Sequence, residues 1–210
     1  MRIAEINRDT NETKIRVKIN LDGSGESKIT TPNGFFNHML ELLSKHSGVD
    51  MDIDVKGDTE VDLHHTVEDT GIVLGEALLQ ALGDKKGIER YASVMMVMDE
   101  VRCDVALDLG GRPNLVYLVS VFGQISADKK SGFDYSLIKE FMKAVSDNLK
   151  ATIHIHHVTA DILDILGADS TNYNFNYHHV AEAIFKGLAR TLKQAVKITG
   201  QDIPSTKGMI

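Results

Sequence analysis

Two short segments repeat one arrangement of metal-ligating side chains: His64-His65-x-x-Glu68 and His178-His179-x-x-Glu182. On a helix, residues four apart share a face, so His64 points with Glu68 and His178 with Glu182. The second histidine of each motif, His65 or His179, is turned by about 100° and would face a neighbouring ion. Two antiparallel helices carrying these motifs would pair across a local twofold axis. One ion would then take His64, Glu68 and His179, and the other His65, His178 and Glu182. Imidazole with carboxylate and no thiolate suits manganese, iron or zinc. A further ligand could come from a shorter helix in each half: His38 for one ion and Glu140 for the other. His154, His156 and His157 lie on or beside a predicted strand and read as structural.

Other residues have the chemistry to hold an anion. Arg90 and Arg112 flank predicted strands, Lys186 lies in the second motif helix, and Ser205-Thr206-Lys207 near the C-terminus offers hydroxyls, amides and an ammonium. Glu12 occupies a polar break between two strands and is a candidate proton-handling carboxylate. Asp99-Glu100 reads as a turn.

The elements that must position these groups follow from periodicity. Ile3, Ile15, Val17 and Ile19 sit at strand spacing around a polar break and predict a hairpin. Phe35 to Leu43 has helical spacing and stops at Gly48; Met51 to Val55 alternates as a strand. His64 to Leu82 is helical. Tyr91–Met98, Val101–Leu109 and Leu115–Val121 read as strands, Phe133–Leu149 as a helix, Ile153–Val158 as a strand and Tyr177–Val196 as a long helix. The halves, about 1–88 and 89–198, share one order and each long helix opens with His-His-x-x-Glu, which predicts an internal duplication. A duplicated α+β unit packs its helices centrally with sheets outside, as one fused domain. Residues 160–173 have no first-half counterpart and are expected to form a short helix and a polar loop, and 199–210 a C-terminal anion-binding tail.

A chain of 210 residues with 25% charged and 42% hydrophobic residues is an ordinary globular composition. The net charge of −7 disfavours nucleic-acid or membrane-surface binding. A single cysteine, Cys103, excludes an internal disulfide and fits a reducing compartment. No signal-like start and no apolar run of about 18 residues is present, which leads to an expected cytoplasmic location.

With both motifs in place, the sequence resembles the imidazoleglycerol-phosphate dehydratase family over almost its whole length. The matching stretches are Arg8-x-Thr-x-Glu12-Thr, Asn20-Leu-Asp-Gly-x-Gly25, Gly34-Phe-Phe-Asn-His38-Met-Leu, Asp62-x-His-His-Thr-Val-Glu68-Asp, Gly87-Ile-x-Arg90, Met98-Asp-Glu, Asp108-Leu-Gly-Gly-Arg112-Pro, His178-His-x-x-Glu182-Ala-x-Phe-Lys186 and Pro204-Ser-Thr-Lys207-Gly. The resemblance implies an α+β fold of the ribosomal-protein-S5-domain-2-like kind: a duplicated unit with a four-helix bundle between two four-stranded mixed sheets. It implies a particle of 24 subunits with active sites between subunits, and two manganese ions per site. His38, His65, His178 and Glu182 match one ion's ligands; His64, Glu68 and His179 match the other's. Glu12, Glu68 and Glu182 are the implied catalytic carboxylates. Glu12, His46, Arg90, Arg112, Lys186, Ser205, Thr206 and Lys207 match substrate contacts, joined by His38, His64, His65, Glu68, His178 and Glu182 on the metal side. Arg90, Arg112, Lys186, Ser205 and Lys207 would gather around a phosphate.

The implied reaction is loss of water from D-erythro-imidazole-glycerol phosphate, giving imidazole-acetol phosphate in L-histidine biosynthesis. The alternative is a metal-binding homologue that assembles but has impaired catalysis. Four departures from the family pattern are visible: the stretch Ala160 to Tyr173, Glu140 where many members have His, Asn37 for Asp beside His38 together with an altered turn at Thr31-Pro-Asn-Gly, and Val97 for Pro before Met98.

Overall fold

A computed structural model describes residues 2–119, 131–167 and 175–210. The elements run β1 (Ile3–Asp9), β2 (Thr13–Asn20), β3 (Ser27–Thr30), α1 (Gly34–Ser47), β4 (Asp50–Gly57), α2 (His64–Leu82), β5 (Tyr91–Met98), β6 (Val101–Asp108), β7 (Asn114–Leu118), α3 (Leu137–Leu149), β8 (Thr152–His157), α4 (Val158–Ile165) and α5 (Tyr177–Ala195). Two mixed four-stranded sheets have the same order, β1-β2-β4-β3 and β5-β6-β8-β7. Alternation in the strands sets their faces: Ile15, Val17 and Ile19 of β2 and Cys103, Val105 and Leu107 of β6 are buried, while Arg16, Lys18, Asp104 and Ala106 between them face outward.

The duplication is written in the register. The Arg8–Ile15 pair of the first hairpin corresponds to Met96–Cys103 of the second, 88 positions on. The same offset relates Ser27 of β3 to Leu115 of β7. From the Ile15–Val55 and Cys103–His157 pairs, β4 maps onto β8 with an offset of 102. The second half is therefore longer between β7 and α3, a second place of extra length besides the stretch 160–173. From the helix starts His64 and Tyr177 and their motifs, the offset grows again before α5, where the extra stretch was expected.

Helices α1, α2, α3 and α5 fill the space between the sheets. The packed pairs are α2 with α3 and α1 with α5; α2 also covers β1 and β2, and α5 covers β5 and β6. The expected pairing of the two motif helices with each other is not how the chain folds: each motif helix packs on the short helix of the opposite half. For α2 and α3 the close contact rests on glycines. Gly71 and Gly75 on α2 let the backbone of α3 come so near that a Cβ on Gly71 would lie 2.8 Å from the Phe141 carbonyl oxygen.

Local chemistry sets the helix ends. The Asn33 side chain accepts from the Phe36 amide at 3.0 Å and caps α1, and Gly48 ends it at φ 77°. Asn176 caps α5 by accepting from the His178 amide at 3.1 Å. Asn37 accepts from the Thr31 amide at 2.8 Å and pins the turn before α1. Two expectations shift. Helix α3 starts at Leu137, not Phe133; Phe133 and Tyr135 are buried against Phe35 in an aromatic cluster, and their apolar spacing mimicked a helical turn. Strand β3 was not anticipated, because its four residues are mostly polar and exposed. The short helix expected near Ile162 is α4, while the polar loop expected over 168–176 lies mostly outside the described residues.

One buried group makes stability depend on pH. His157, wholly buried at the end of β8, packs edge-on to Phe175 at 4.7 Å and neither ring nitrogen has a partner among the described residues. Burial pushes its pKa down to about 4, against partial opposition from Asp161 and Glu100. Between pH 6.5 and 4 the unfolded chain takes up a proton that the folded chain refuses. Stability is therefore lost as pH falls through that window, by about 3 kcal/mol at its foot. Thermal unfolding measured from pH 7 down to pH 4 should show a flatter decline for His157→Leu than for the parent chain; parallel declines would refute the assignment.

Candidate metal and anion sites

The packing of α1 on α5 brings together one cluster from both halves. His38 Nε2 lies 3.0 Å and His178 Nε2 3.1 Å from the same oxygen, Glu182 Oε1. Lys186 Nζ donates to the other oxygen at 2.6 Å. The two imidazoles stack at 5.6 Å, and Phe35 packs edge-on to His178 at 5.3 Å. Burial alone would push the Glu182 carboxyl up; hydrogen bonds from Lys186, His38 and His178 outweigh it and hold it at about 2. Two nitrogens and a carboxylate converging within 4.8 Å form a donor set that suits a divalent ion.

The first-half motif forms a separate set. His64 Nε2 is 3.6 Å from Glu68 Oε2 on α2. His65 turns its Nδ1 to Asp58, 3.0 Å away, while its Nε2 looks toward Glu12 Oε1 at 3.9 Å. The hydrogen bond to Asp58 raises the His65 pKa, with Glu12 adding to it against burial. Glu12 is exposed, but its hairpin is anchored. The Thr13 hydroxyl donates to Asp69 on α2, Arg8 pairs with Asp69 at 3.2 Å, and the Asp58 amide donates to the Glu12 carbonyl at 3.0 Å.

His179 has its own surroundings. Its Nδ1 lies 3.0 Å from Glu100 Oε2 and its Nε2 3.8 Å from Asp99 Oδ2. The Asn176 amide donates to Glu100 Oε1 at 2.8 Å. Burial would push the Glu100 carboxyl up; the Asn176 amide and the His179 ring hold it below its ordinary value.

Among the described residues, then, one chain does not unite the two expected ligand sets. His64, His65 and Glu68 on the α2–α3 pair stay apart from His38, His178 and Glu182 on the α1–α5 pair. Glu140, in the first turn of α3, joins neither cluster. Asp58, Glu100 and Asp69 were missed as functional candidates. Glu100 and Asp69 stand inside quoted motifs, whereas Asp58 had no signal short of the fold.

The anion-binding candidates also divide. Arg112, Ser205, Thr206 and Lys207 line a groove of about 680 Å³ between the Gly110-Gly111 turn and the C-terminal tail. Arg90 reaches it too, but its guanidinium is committed: Nε to Asp108 at 2.7 Å and Nη1 to the Pro204 carbonyl at 2.8 Å. Three of its five N–H donors are engaged, and the one to Pro204 latches the tail. Lys186 does not line this groove; it sits on Glu182. The pKa of His46, at the end of α1, is lowered by burial and by the charges of Lys186 and Arg190.

Comparison with known proteins agrees with this architecture. The family model described as imidazoleglycerol-phosphate dehydratase matches residues 31–192. The imidazoleglycerol-phosphate dehydratase of Agrobacterium fabrum is 46% identical over 212 aligned positions, covering 100% of this chain and 98% of that protein. That of Oceanobacillus iheyensis is 44% identical, with 100% of each covered. The crystal structure of the Staphylococcus aureus N315 enzyme aligns with a TM-score of 0.76 at 34% identity, over 94% of this chain and 99% of that one. The Pyrococcus furiosus IGPD, solved in complex with (S)-C348, gives 0.76 at 33%, over 98% and 100%. The chain belongs to the imidazoleglycerol-phosphate dehydratase family, and its class of chemistry is that of a carbon–oxygen hydro-lyase.

Proposed function

We propose that this chain dehydrates D-erythro-imidazole-glycerol phosphate to imidazole-acetol phosphate in L-histidine biosynthesis, as a manganese-dependent, cytoplasmic assembly of 24 copies. The observation that carries this reading is the convergence of His38, His178 and Glu182 from opposite halves of the chain. His64 and Glu68, with His65 and His179, supply the remaining donors. Because His64, His65 and Glu68 stand on α2 while His38, His178, His179 and Glu182 stand on the α1–α5 pair, a second copy completes each dinuclear site.

The donors fit manganese: nitrogen and carboxylate oxygen, no thiolate, and a carboxylate held ionised. Two such ions would act as Lewis acids and as a template for the substrate imidazole. The chain's residues do the rest. Glu12, exposed at its tip but anchored through Thr13 and Asp69, takes the carbon-bound proton. Arg112, Ser205, Thr206 and Lys207 hold the phosphate, and Arg90 fixes the tail that carries three of them. Lys186 adds positive charge beside the proposed metal cluster, and its charge, with burial and Arg190, favours the neutral ring of His46. Among the described residues no helix is long and apolar enough to cross a membrane, which is compatible with the proposed location.

The test is turnover followed through the product enol at high pH. Turnover is expected with manganese, absent after chelation, and lost in His64→Ala. Metal-replete protein that binds manganese without turnover would favour the impaired homologue instead.

A further inference from the structure

The two second-position histidines, His65 and His179, share a feature the first-position ones lack: a carboxylate on Nδ1 at 3.0 Å, Asp58 in one case and Glu100 in the other. An ionised carboxylate only accepts, so each Nδ1 carries the proton and each neutral ring keeps its lone pair on Nε2. For His179 a second contact agrees. The Asn176 side-chain nitrogen can only donate, and it lies 3.1 Å from Nε2; its orientation is fixed because its oxygen caps α5.

These two clamps are not copies of one another. The hairpin offset of 88 positions makes Glu12 the counterpart of Glu100. The β4-to-β8 offset of 102 makes Ala160, at the start of α4, the counterpart of Asp58. In the second half the position equivalent to Asp58 carries no carboxylate, and the hairpin glutamate serves His179 Nδ1. In the first half Asp58 serves His65 Nδ1, and the hairpin glutamate faces the Nε2 side at 3.9 Å.

We propose that Asp58 and Glu100 are positioning residues that hold His65 and His179 with Nε2 presented to metal, and that Asp58, by taking this part, releases Glu12 for proton handling. The inference rests on the metal-site reading above and extends it to why one hairpin glutamate works on substrate and its counterpart does not. It also separates the Asp99–Glu100–His179 group from a metal site of its own. Glu100 is engaged by the Asn176 amide and by His179, and Asp99 is exposed at 3.8 Å from Nε2. A histidine ligand that loses such support typically binds its metal about 10–100-fold more weakly.

The experiment compares three alanine variants, Asp58→Ala, Glu100→Ala and Glu12→Ala, in the full-length chain. Free manganese is read by electron paramagnetic resonance during titration, and the nitrogen-15 shifts of His65 and His179 report which ring nitrogen bears the proton in metal-free protein. Asp58→Ala and Glu100→Ala should bind manganese about 10–100-fold more weakly and lose the fixed Nδ1–H form of their own histidine. Glu12→Ala should keep both properties while losing turnover. Thermal unfolding without metal controls for Glu100→Ala, which also loosens Asn176; Asp58→Ala decides the matter if that variant fails to fold. Unchanged affinity in folded Asp58→Ala, or a loss in Glu12→Ala equal to that in Glu100→Ala, overturns the proposal alone. Absence of manganese binding by the parent chain overturns it together with the dehydratase reading.

Discussion

Glu68→Ala and Glu182→Ala chains should each be inactive, and equal amounts assembled together should regain about a quarter of parental turnover. Each substitution removes a carboxylate donor from a different helix pair: Glu68 from α2, Glu182 from α5. Alone, either should lower turnover by at least about 10²-fold, the scale on which a positioned acid–base or ligating group contributes. Glu182→Ala also strands Lys186, whose ammonium sits 2.6 Å from that carboxylate. The recovery follows from where the ligands stand. If one copy supplies the α5 set and another the α2 set, random assortment leaves about one site in four with both sets intact. If a single chain supplied both sets, every site in the mixture would keep a defect and no turnover would return. Co-expression of the two chains with distinguishable tags, purification through both, and an assay of the mixed particle decide between these outcomes.

The parts of this site that could be read without coordinates were those set by short-range periodicity. A histidine pair with a glutamate four residues on declares its own geometry, and the bounds of α2 follow from the apolar spacing between His64 and Gly83. His38 emerged from its place in the first short helix. What could not be read was which helices meet. Periodicity marks α2 and α5 as amphipathic, but the approach of α2 to α3 depends on Gly71 and Gly75, and that of α5 to its sheet on Gly187, whose missing side chains only matter once a second surface is present. The same holds for Arg90. Its type suggests an anion contact, whereas the Asp108 carboxylate and the Pro204 carbonyl that engage it come from 18 and 114 positions away. Asp58 was invisible for a related reason: it acts through His65, seven positions on but in a different element. Residues that touch the chemistry have telling types and spacings, while residues that orient them are ordinary until the fold puts them in contact.

Gly71→Leu should destabilise the chain by about 3 kcal/mol or more, the upper part of the range for overpacking a close contact. A Cβ on Gly71 would stand 2.8 Å from the Phe141 carbonyl oxygen and 2.9 Å from the Ala144 Cβ. One of those is backbone and the other the stub of a side chain, so neither can rotate away. One turn on, Gly75 meets the Asn148 Cβ at 2.8 Å and the Leu149 amide at 3.0 Å, so α2 has no room to tilt and relieve the strain. For a domain of this size that loss lowers the melting temperature by about 6–12 °C. Gly34→Ala is the contrast. It stands at the first position of α1 with nothing within 4 Å of its would-be Cβ, and should change stability by less than about 0.5 kcal/mol. Differential scanning calorimetry of both variants tests the pair, and equal small shifts would refute the close approach of α2 and α3. The consequence reaches the proposed metal site, because α2 carries His64, His65 and Glu68 on its first turns and Gly71 lies less than one turn beyond Glu68. Pushing α2 off α3 displaces that donor set as a body, without touching any ligand. A Gly71→Leu chain still folded at low temperature should therefore bind manganese more weakly than the parent, while the His38–His178–Glu182 cluster on the α1–α5 pair stays intact.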